Sequence, residues 1–366
     1  MPEGNDLTAA GVRGRLPGMA RLPSPIVRRP ISITLVSLAF AVVVALTPLV
    51  LPILALADLA TGTPMRRSRI WLLYLSVLFD EGLGTWLAIA MTAFHLGRLD
   101  RPKAQQRFHR LMVWWGNRHI TSLRRVAGVR WVVENPEEVV RANAIVLSRH
   151  ASHVDAVLPL LLFATVGGHH IRYTLKDDLQ WAPAMDIVGN RLPHVFVDRS
   201  PAPDSPLTDR IRELARGVDD DTVTVIFPEG TFYTPERLDR AATRIAETRP
   251  DLEPVVRSLQ HLLPPRPAGT LALMEGAPTA DLVLVAHEGM ETFGDLAAIR
   301  AHIPLVEPVR VRLWRIARAD VPDDEDDFVT WLMDRWTEMD RWIQQRVIDR
   351  GTGDTGSLPR GQEFRP

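Results

Sequence analysis

The stretch Ile145-Val-Leu-Ser-Arg-His-Ala-Ser-His-Val-Asp155 has the pattern of a buried strand that runs into a polar turn. Polar residues gathered at the carboxyl end of a strand are where open α/β sheets usually place their chemistry. His150 and Asp155 lie five positions apart, so a turn could let the carboxylate hold one imidazole nitrogen while the other takes a proton from a substrate hydroxyl. The spacing alone is not specific, because His95 and Asp100 repeat it.

The composition of the chain excludes several classes of protein. The 366 residues carry a net charge of −1, without the basic excess of a nucleic-acid-binding protein. There is no cysteine, so disulfides, a cysteine nucleophile and thiolate metal sites are excluded. The ten tryptophans suit either a membrane interface or an ordinary core, and the sequence leaves both open.

Two long apolar runs near the start of the chain predict attachment to a membrane. Residues 1–30 are rich in proline and arginine and are predicted to form a disordered basic arm. Residues 31–57 then form an apolar run that is long enough to cross a bilayer. A second run covers residues 70–96, and the region of membrane-anchoring helices is predicted at residues 31–110.

Asp80, Glu81 and Gly82 interrupt the second run and leave its topology open. Each carboxylate would cost about 2.5–3.5 kcal/mol at mid-bilayer. The run is therefore either a spanning helix with buried partners or two short helices that bend at Gly82 within one leaflet. Three arginines in the preceding loop favour the re-entrant form, and arginines flanking the two runs predict the cytoplasmic face for the rest of the chain. A buried hairpin of a soluble protein remains an alternative.

The texture of the chain changes at residue 111, where short apolar runs begin to alternate with charge, proline and glycine. This pattern predicts an α/β domain at residues 111–350, built as a mixed sheet flanked by helices, and a disordered tail at residues 351–366. The predicted strands are residues 129–134, 144–147, 171–175, 194–197, 222–227, 282–286 and 309–313. The predicted helices are residues 156–165, 207–216, 235–248, 269–275 and 328–348.

Three of these strands end in polar clusters, which are expected to line one cleft if the sheet is largely parallel. The clusters are residues 148–155, 198–199 and 229–231. Lys176, Arg199 and Arg266 are candidates to neutralise an anionic substrate. Gly230 would allow close approach of the backbone, and Glu229 could accept a hydrogen bond from a bound hydroxyl. The candidate substrate-binding residues are Ser152, Lys176, Arg199, Glu229, Gly230, Thr231 and Arg266.

The polar clusters also form an ordered set of motifs. They are the box from His150 to Asp155, then Lys176-Asp-Asp-Leu179, Phe196-Val-Asp-Arg199, Phe227-Pro-Glu-Gly-Thr231 and His261-Leu-Leu-Pro-Pro-Arg266-Pro-Ala-Gly269. In this order they resemble the motifs of the lysophosphatidic acid acyltransferase family, the PlsC-type enzymes that acylate glycerolipids. The last of them is typical of the larger, eukaryotic-type members, and the similarity runs from about residue 110 to residue 345.

Two positions depart from the family pattern. Phe232 follows the third family motif, where an arginine is usual. A different head group, or a stand-in such as Arg199 or Arg266, would explain the change. The fourth motif normally has a proline after its strand, whereas here Ala286 and His287 follow. These departures leave substrate specificity more open than catalysis.

The resemblance implies an acyltransferase with a glycerolipid-acyltransferase-type fold. His150, oriented by Asp155, would deprotonate the free hydroxyl of 1-acyl-glycerol-3-phosphate or a related lysophospholipid as it attacks the thioester of acyl-CoA or acyl-carrier protein. Backbone amides near Gly230 or after Leu147 are candidates to bind the oxyanion. The implied partners are membrane lipids, the lysophospholipid and the acyl donor, in phospholipid biosynthesis or remodelling. No metal or other cofactor is expected. A non-catalytic lipid-binding protein and a thioester hydrolase are the alternatives.

Overall fold

The computed structural model describes residues 22–95, 101–198 and 206–352, together with the backbone of residues 362–364. Arg199, most of the predicted arm and most of the predicted tail lie outside the described residues. The α-helices are α1 (Pro25–Ala60), α2 (Arg66–Phe94), α3 (Pro102–Arg125), α4 (Val157–Pro159), α5 (Pro183–Gly189), α6 (Leu207–Ala215), α7 (Pro235–Thr248), α8 (Glu253–Ser258), α9 (Pro267–Gly276), α10 (Leu296–His302) and α11 (Glu325–Thr352). The strands are β1 (Trp131–Glu134), β2 (Ala144–Ser148), β3 (His170–Lys176), β4 (Val195–Val197), β5 (Thr222–Ile226), β6 (Asp281–Glu288), β7 (Val309–Ile316) and β8 (Gln362–Phe364).

The described strands form one mixed sheet in the order β4-β3-β5-β2-β6-β7-β1-β8. Strands β2 to β6 run parallel to one another, β7 runs antiparallel to β6, and β1 runs parallel to β7. With helices on both faces, this confirms the predicted mixed sheet flanked by helices. The carboxyl ends of β2 to β6 consequently lie at one edge of the sheet, as the three polar clusters require.

Strand β2 lies near the middle of the sheet, and all of its residues are buried. Ile145 and Leu147 pack in the core on one face, together with Trp336 of α11. Val146 packs on the other face, in the core that contains Phe108 of α3. A strand that is covered on both faces reads as a continuous apolar run, which is the pattern found at residues 144–147. This burial fixes the position of the polar turn that follows.

The N-terminal helices α1 and α2 are long and apolar enough to cross a membrane. The interruption in the second run faces protein, because the Arg118 guanidinium donates to Asp80 at 2.5 Å and the Ala184 amide donates to Glu81 at 2.8 Å. The helix α2 continues through Gly82, so the bend considered at this residue is absent. Both carboxylates have partners, and this removes the cost of leaving them in lipid.

Helix α2 also contacts the α/β domain near its start. The Arg66 guanidinium donates to the carbonyl of Ile303 at 3.0 Å, and Arg69 donates to the carbonyl of Val126 at 2.8 Å. Helix α1 packs on α2 and exposes apolar side chains along its length. The exposed set includes Leu35, Leu38, Val42, Leu49, Ile53 and Leu56. The hairpin of α1 and α2 thus has one side on the domain and one apolar side that suits lipid.

Both ends of the ordered chain extend past the predicted boundaries. Helix α1 begins at Pro25, within the predicted arm, because Arg28 forms a buried ion pair with Asp186 at 2.9 Å and also donates to Gln180. Helix α11 continues to Thr352, and β8 pairs antiparallel with β1 in the segment predicted to be a disordered tail. Long-range pairing of this kind leaves no local signal in the sequence.

Candidate active site

The turn after β2 brings His150 and Asp155 together. Nδ1 of His150 lies 2.9 Å from Oδ2 of Asp155. The same carboxylate accepts hydrogen bonds from the backbone amides of Ala151 and Ser152 and from the Ser152 hydroxyl. Four donors therefore hold Asp155, and the carboxylate in turn fixes the orientation of the imidazole.

The charge state of Asp155 follows from this environment. Burial alone would raise its pKa, but the hydrogen bond from His150, the nearby His287 and the Ser152 hydroxyl together lower the pKa below its ordinary value. Asp155 is therefore an anion at neutral pH. A buried anion beside Nδ1 stabilises the imidazolium that would form when Nε2 accepts a proton.

Nε2 of His150 points toward the substrate side of the turn. The Lys176 ammonium lies 3.2 Å from Nε2 and 5.1 Å from the centre of the Phe232 ring. The Phe232 ring lies edge-on to His150, with ring centres 4.8 Å apart, and Phe227 lies 5.1 Å away on another side. The reactive nitrogen is thus enclosed by two aromatic rings and one cation. Phe232, which replaces the usual arginine, forms a wall of the site.

Two predicted substrate-binding residues are used within the protein instead. Ser152 is buried, and its hydroxyl donates to Asp155. Glu229 is also buried, and its two oxygens accept the backbone amides of His150 at 2.8 Å and Leu263 at 2.9 Å. Burial raises the pKa of Glu229 to about 8. Both residues were expected to bind substrate. Their side-chain oxygens instead bond to protein groups and do not face open space, which favours a positioning role for Ser152 and Glu229.

The remaining candidates differ in their position. Gly230 has a φ of +69°, and a β-carbon placed there would lie 3.3 Å from the Arg266 guanidinium. Glycine is therefore suited both to the backbone angle and to the close approach of Arg266. Arg266 is exposed beside it, and no carboxylate of the described chain pairs with its guanidinium. Thr231 is half-buried at the end of the same turn. Arg199 lies outside the described residues, so its predicted role stays a prediction.

The backbone amides proposed for the oxyanion are largely occupied. The Gly230 amide donates to the carbonyl of Phe227 at 3.0 Å, and the Arg149 amide donates to the carbonyl of Val285 at 3.0 Å. The amides of residues 150–152 donate to the two carboxylates described above. Within the described chain, the Thr231 amide has no such acceptor. The Glu229 amide has no such acceptor either, so the amides of Glu229 and Thr231 both remain candidates in the described turn at residues 228–231.

A buried group behind the turn was not predicted from the sequence. His287 in β6 is fully buried, with Nε2 3.3 Å from the carbonyl of Arg149 and 3.8 Å from Oδ1 of Asp155. The Arg149 guanidinium donates to the carbonyls of His287 and His261 and to Glu291. The alternation of β6 was a usable signal, because Val283 and Val285 lie in the same core and place residue 287 on the same face.

No group of three or more histidine, aspartate or glutamate side chains in the described segments is arranged to hold a metal ion. A cavity of about 520 Å³ lies at the opposite, amino edge of the sheet and is lined by Lys103, His109, His170 and Arg172 among others. It is separate from His150 and Asp155.

Comparisons with known proteins agree with this site. Residues 130–258, which contain the His150 box and the Phe227–Thr231 motif, match the family model described as Acyltransferase. The chain is 27% identical over 216 residues to 1-acyl-sn-glycerol-3-phosphate acyltransferase epsilon of Mus musculus, covering 56% of this chain and 58% of that protein. It is 23% identical over 239 residues to an uncharacterized acyltransferase of Schizosaccharomyces pombe, covering 61% of this chain and 63% of that protein.

The matched part therefore spans about three fifths of each curated relative. Among solved structures, the crystal structure of the 1-acyl-sn-glycerophosphate acyltransferase PlsC from Thermotoga maritima matches with a TM-score of 0.41 and 17% identity, over 77% of this chain and 98% of that one. The family model and the curated relatives confirm the resemblance predicted from the motifs. Residues 130–258 thus match an acyltransferase domain, and the chain is similar to acyltransferases of the lysophosphatidic acid type.

Proposed function

We propose that this acyltransferase moves a fatty acyl group from acyl-CoA or acyl-carrier protein to the free hydroxyl of 1-acyl-glycerol-3-phosphate or a related lysophospholipid. The observation that carries the proposal is the pairing of His150 Nδ1 with Asp155 Oδ2 at 2.9 Å, which leaves Nε2 facing the site. A general base in this arrangement typically contributes about 10²–10⁴-fold to the rate.

In the proposed step, the acceptor hydroxyl gives its proton to Nε2 of His150 as its oxygen attacks the thioester carbonyl. The carbon–sulfur bond then breaks, and the leaving thiolate takes the proton from Nε2. The amides of Glu229 and Thr231 are the candidate donors to the oxyanion, because the Gly230 amide between them already donates to the carbonyl of Phe227. No covalent enzyme intermediate is needed.

Lys176 gives the site a preference for an anionic acceptor. Its ammonium lies 3.2 Å from Nε2, so an incoming hydroxyl must take its place there. A phosphate on the acceptor would offer the displaced ammonium a charged partner. Arg266, exposed beside Gly230, is a second cation within the same turn region. A lysolipid with a phosphate monoester therefore fits the site better than a neutral one.

The hairpin of α1 and α2 supports a lipid substrate. It presents apolar side chains outward and rests on the domain that carries His150. The acyl chain and the acceptor both partition into lipid, so a domain held at the membrane surface would meet both there. Because α2 runs unbroken through Gly82 and contacts the domain at its start and its middle, we infer a hairpin that lies against the domain on the cytoplasmic face, and not two independent spans.

The test is acyl transfer by the full chain in neutral detergent, with labelled acyl-CoA and a panel of lysolipids. His150→Ala is expected to lower acceptor-dependent product by about 10²–10⁴-fold. The control is His153→Ala, since the His153 ring also contacts Phe232 with ring centres 4.8 Å apart. The rate of acyl transfer by His153→Ala should fall less than tenfold, because His153 packs on Phe232 and has no part in the proposed proton transfer.

Undiminished turnover by His150→Ala would contradict the proposal. Fatty acid released at the same rate with and without any lysolipid would instead indicate a thioester hydrolase. The absence of product with every donor and acceptor, together with retained lipid binding, would indicate a lipid-binding protein on the same scaffold.

A further inference from the structure

A second basic cavity lies on the surface of α3, away from His150. It has a volume of about 250 Å³ and is lined by Arg118, Thr121, Ser122, Arg125 and Val126. These positions follow the spacing of one helix face, so their side chains converge on one side of α3. Two guanidinium groups and two hydroxyls line the cavity, but the Thr121 hydroxyl donates to the carbonyl of Asn117 and the Ser122 hydroxyl donates to Asp80. The two arginines are therefore the lining groups with N–H donors to offer a ligand. Such a lining is suited to a phosphate oxygen rather than to a cation.

The cavity borders the apolar surface of the hairpin. The Arg118 guanidinium lies over the ring of Phe79 in α2 at 5.4 Å and over Trp114 at 5.5 Å. Phe79 in turn contacts Phe40 of α1, with ring centres 5.8 Å apart. Phe79 and Trp114 are both exposed. Phe79 and Trp114 therefore flank Arg118 at the edge of the basic cavity, and tryptophan at such an edge is typical of a membrane interface.

The charges around the cavity favour an anion, although the cavity lies near the carboxyl end of α3. The last turn of α3 would present partly negative carbonyls, but Arg69 donates to the carbonyls of Arg125 at 3.4 Å and Val126 at 2.8 Å. Asp80 is the nearby carboxylate, and it is already bonded to Arg118. The guanidinium of Arg125 is exposed, and no carboxylate in the described ranges pairs with it. Its charge is therefore available to a ligand.

We propose that this cavity binds the phosphate of an anionic membrane phospholipid, with the acyl chains lying along the apolar surface of α1 and α2. The ligand is a structural lipid that fixes the domain on the bilayer, separate from the acceptor at His150. Arg125 and the terminal N–H groups of Arg118 bind the phosphate oxygens, and Phe79 and Trp114 contact the glycerol and the upper part of the acyl chains.

The test uses the full chain in neutral detergent and measures binding of dioctanoyl phosphatidylglycerol by native mass spectrometry. Arg125→Gln is expected to raise the dissociation constant at least about fivefold, the effect of one basic group at an anionic surface. Arg124→Gln is the matched control, because it removes the same charge from the adjacent position, which does not line the cavity. The control should change the constant less than about twofold.

A second variant avoids any change of charge. Arg125→Lys keeps the charge but loses the planar set of N–H donors, and it is expected to weaken phosphatidylglycerol binding about threefold. Both variants should keep acyl transfer within about twofold of the original rate, which also shows that they fold. A loss of acyl transfer in the His150→Ala enzyme with unchanged lipid binding would separate this site from the catalytic one.

Two results would overturn the proposal. Equal weakening by Arg125→Gln and Arg124→Gln would show general attraction of charge and no site. Displacement of the lipid by millimolar inorganic phosphate, with tight binding of phosphate alone, would show a site for free phosphate.

Discussion

The two edges of the central sheet each gather histidines, and only one edge gives a histidine a carboxylate. At the carboxyl edge, His150 is bonded to Asp155. At the amino edge, His109 and His170 lie with ring centres 4.4 Å apart. The nearby His109 also helps to lower the pKa of His194. No carboxylate of the described chain bonds to these three imidazoles.

This difference sets what each cluster can do. Burial, and then the neighbouring His170, lower the pKa of His109 to about 4, and burial lowers the pKa of His194 to about 3. Both are therefore neutral at pH 7, and nothing stabilises a proton on them. Asp155 supplies that stabilisation at the other edge. A histidine becomes a base through its carboxylate partner, and the proximity of other histidines works against it.

The largest expected effect comes from removing that partner's charge. Asp155→Asn keeps the shape of the side chain but loses the anion that orients Nδ1 of His150, and its amide would oppose the donors at residues 151 and 152. The rate of acyl transfer is expected to fall about 10³–10⁴-fold. Steady-state kinetics with Asp220→Asn, an exposed carboxylate, as the control would measure it. A loss below tenfold would mean that the pairing does not drive the reaction.

A smaller effect is expected from the buried group behind Asp155. His287→Phe removes the imidazole whose Nε2 lies 3.3 Å from the carbonyl of Arg149 and 3.8 Å from Oδ1 of Asp155, so the turn that carries His150 loses one buried hydrogen bond. Such a bond contributes about 1 kcal/mol, so kcat should fall about fivefold while KM stays within about twofold. His287→Gln, which keeps an N–H donor, should recover most of the rate.

The control for His287 is His169, another buried histidine, whose Nε2 lies 3.0 Å from the carbonyl of Val139. His169→Phe should lower the melting temperature without changing kcat. If both substitutions lower kcat equally, the role of His287 is structural.

The smallest effect on activity is expected at the amino edge. His109→Gln should leave acyl transfer within about twofold, because this imidazole has no carboxylate and lies away from His150. Its effect appears in acid unfolding. The pKa of His109 is about 4 in the folded protein and 6.5 ordinarily, so the folded state binds fewer protons between these pH values and stability falls as the pH is lowered from 6.5 to 4.

For a shift of this size the loss is about 3 kcal/mol. The Gln variant should lack that part of the decline when urea unfolding is followed at several pH values. An unchanged pH dependence would mean that His109 titrates normally in the folded state.

Several parts of the fold were predictable because the signal is local. The apolar run at residues 144–147 predicted a buried strand, and β2 is buried along its whole length. The spacing of His150 and Asp155 acquired meaning from the ordered motifs downstream. The partners of Asp80 and Glu81 were not predictable, since they are Arg118 in α3 and Ala184 in α5, far along the chain.

The hydrogen-bond partners of Glu229 and Ser152 were not predictable for the same reason. A sequence shows that a polar residue follows a strand, but the direction of its side chain depends on which amides surround it. Glu229 meets the amides of His150 and Leu263, which are separated from it by 79 and 34 positions. His287 was noted only as a departure from the fourth motif and was given no role, although the alternation of β6 places it near Asp155.

The attachment of α5 has a consequence for how the enzyme can be handled. The carboxylate of Glu81 caps the first turn of α5, and Arg28 of α1 pairs with Asp186 inside it. Both hairpin helices are thus fastened to a segment that lies directly between Lys176 and β4. The hairpin is joined to the domain by these buried contacts, and its removal would therefore disturb the domain itself. A shortened chain that begins after α2 would leave Asp186 as an orphaned buried charge and would strip the cover from one flank of the catalytic domain.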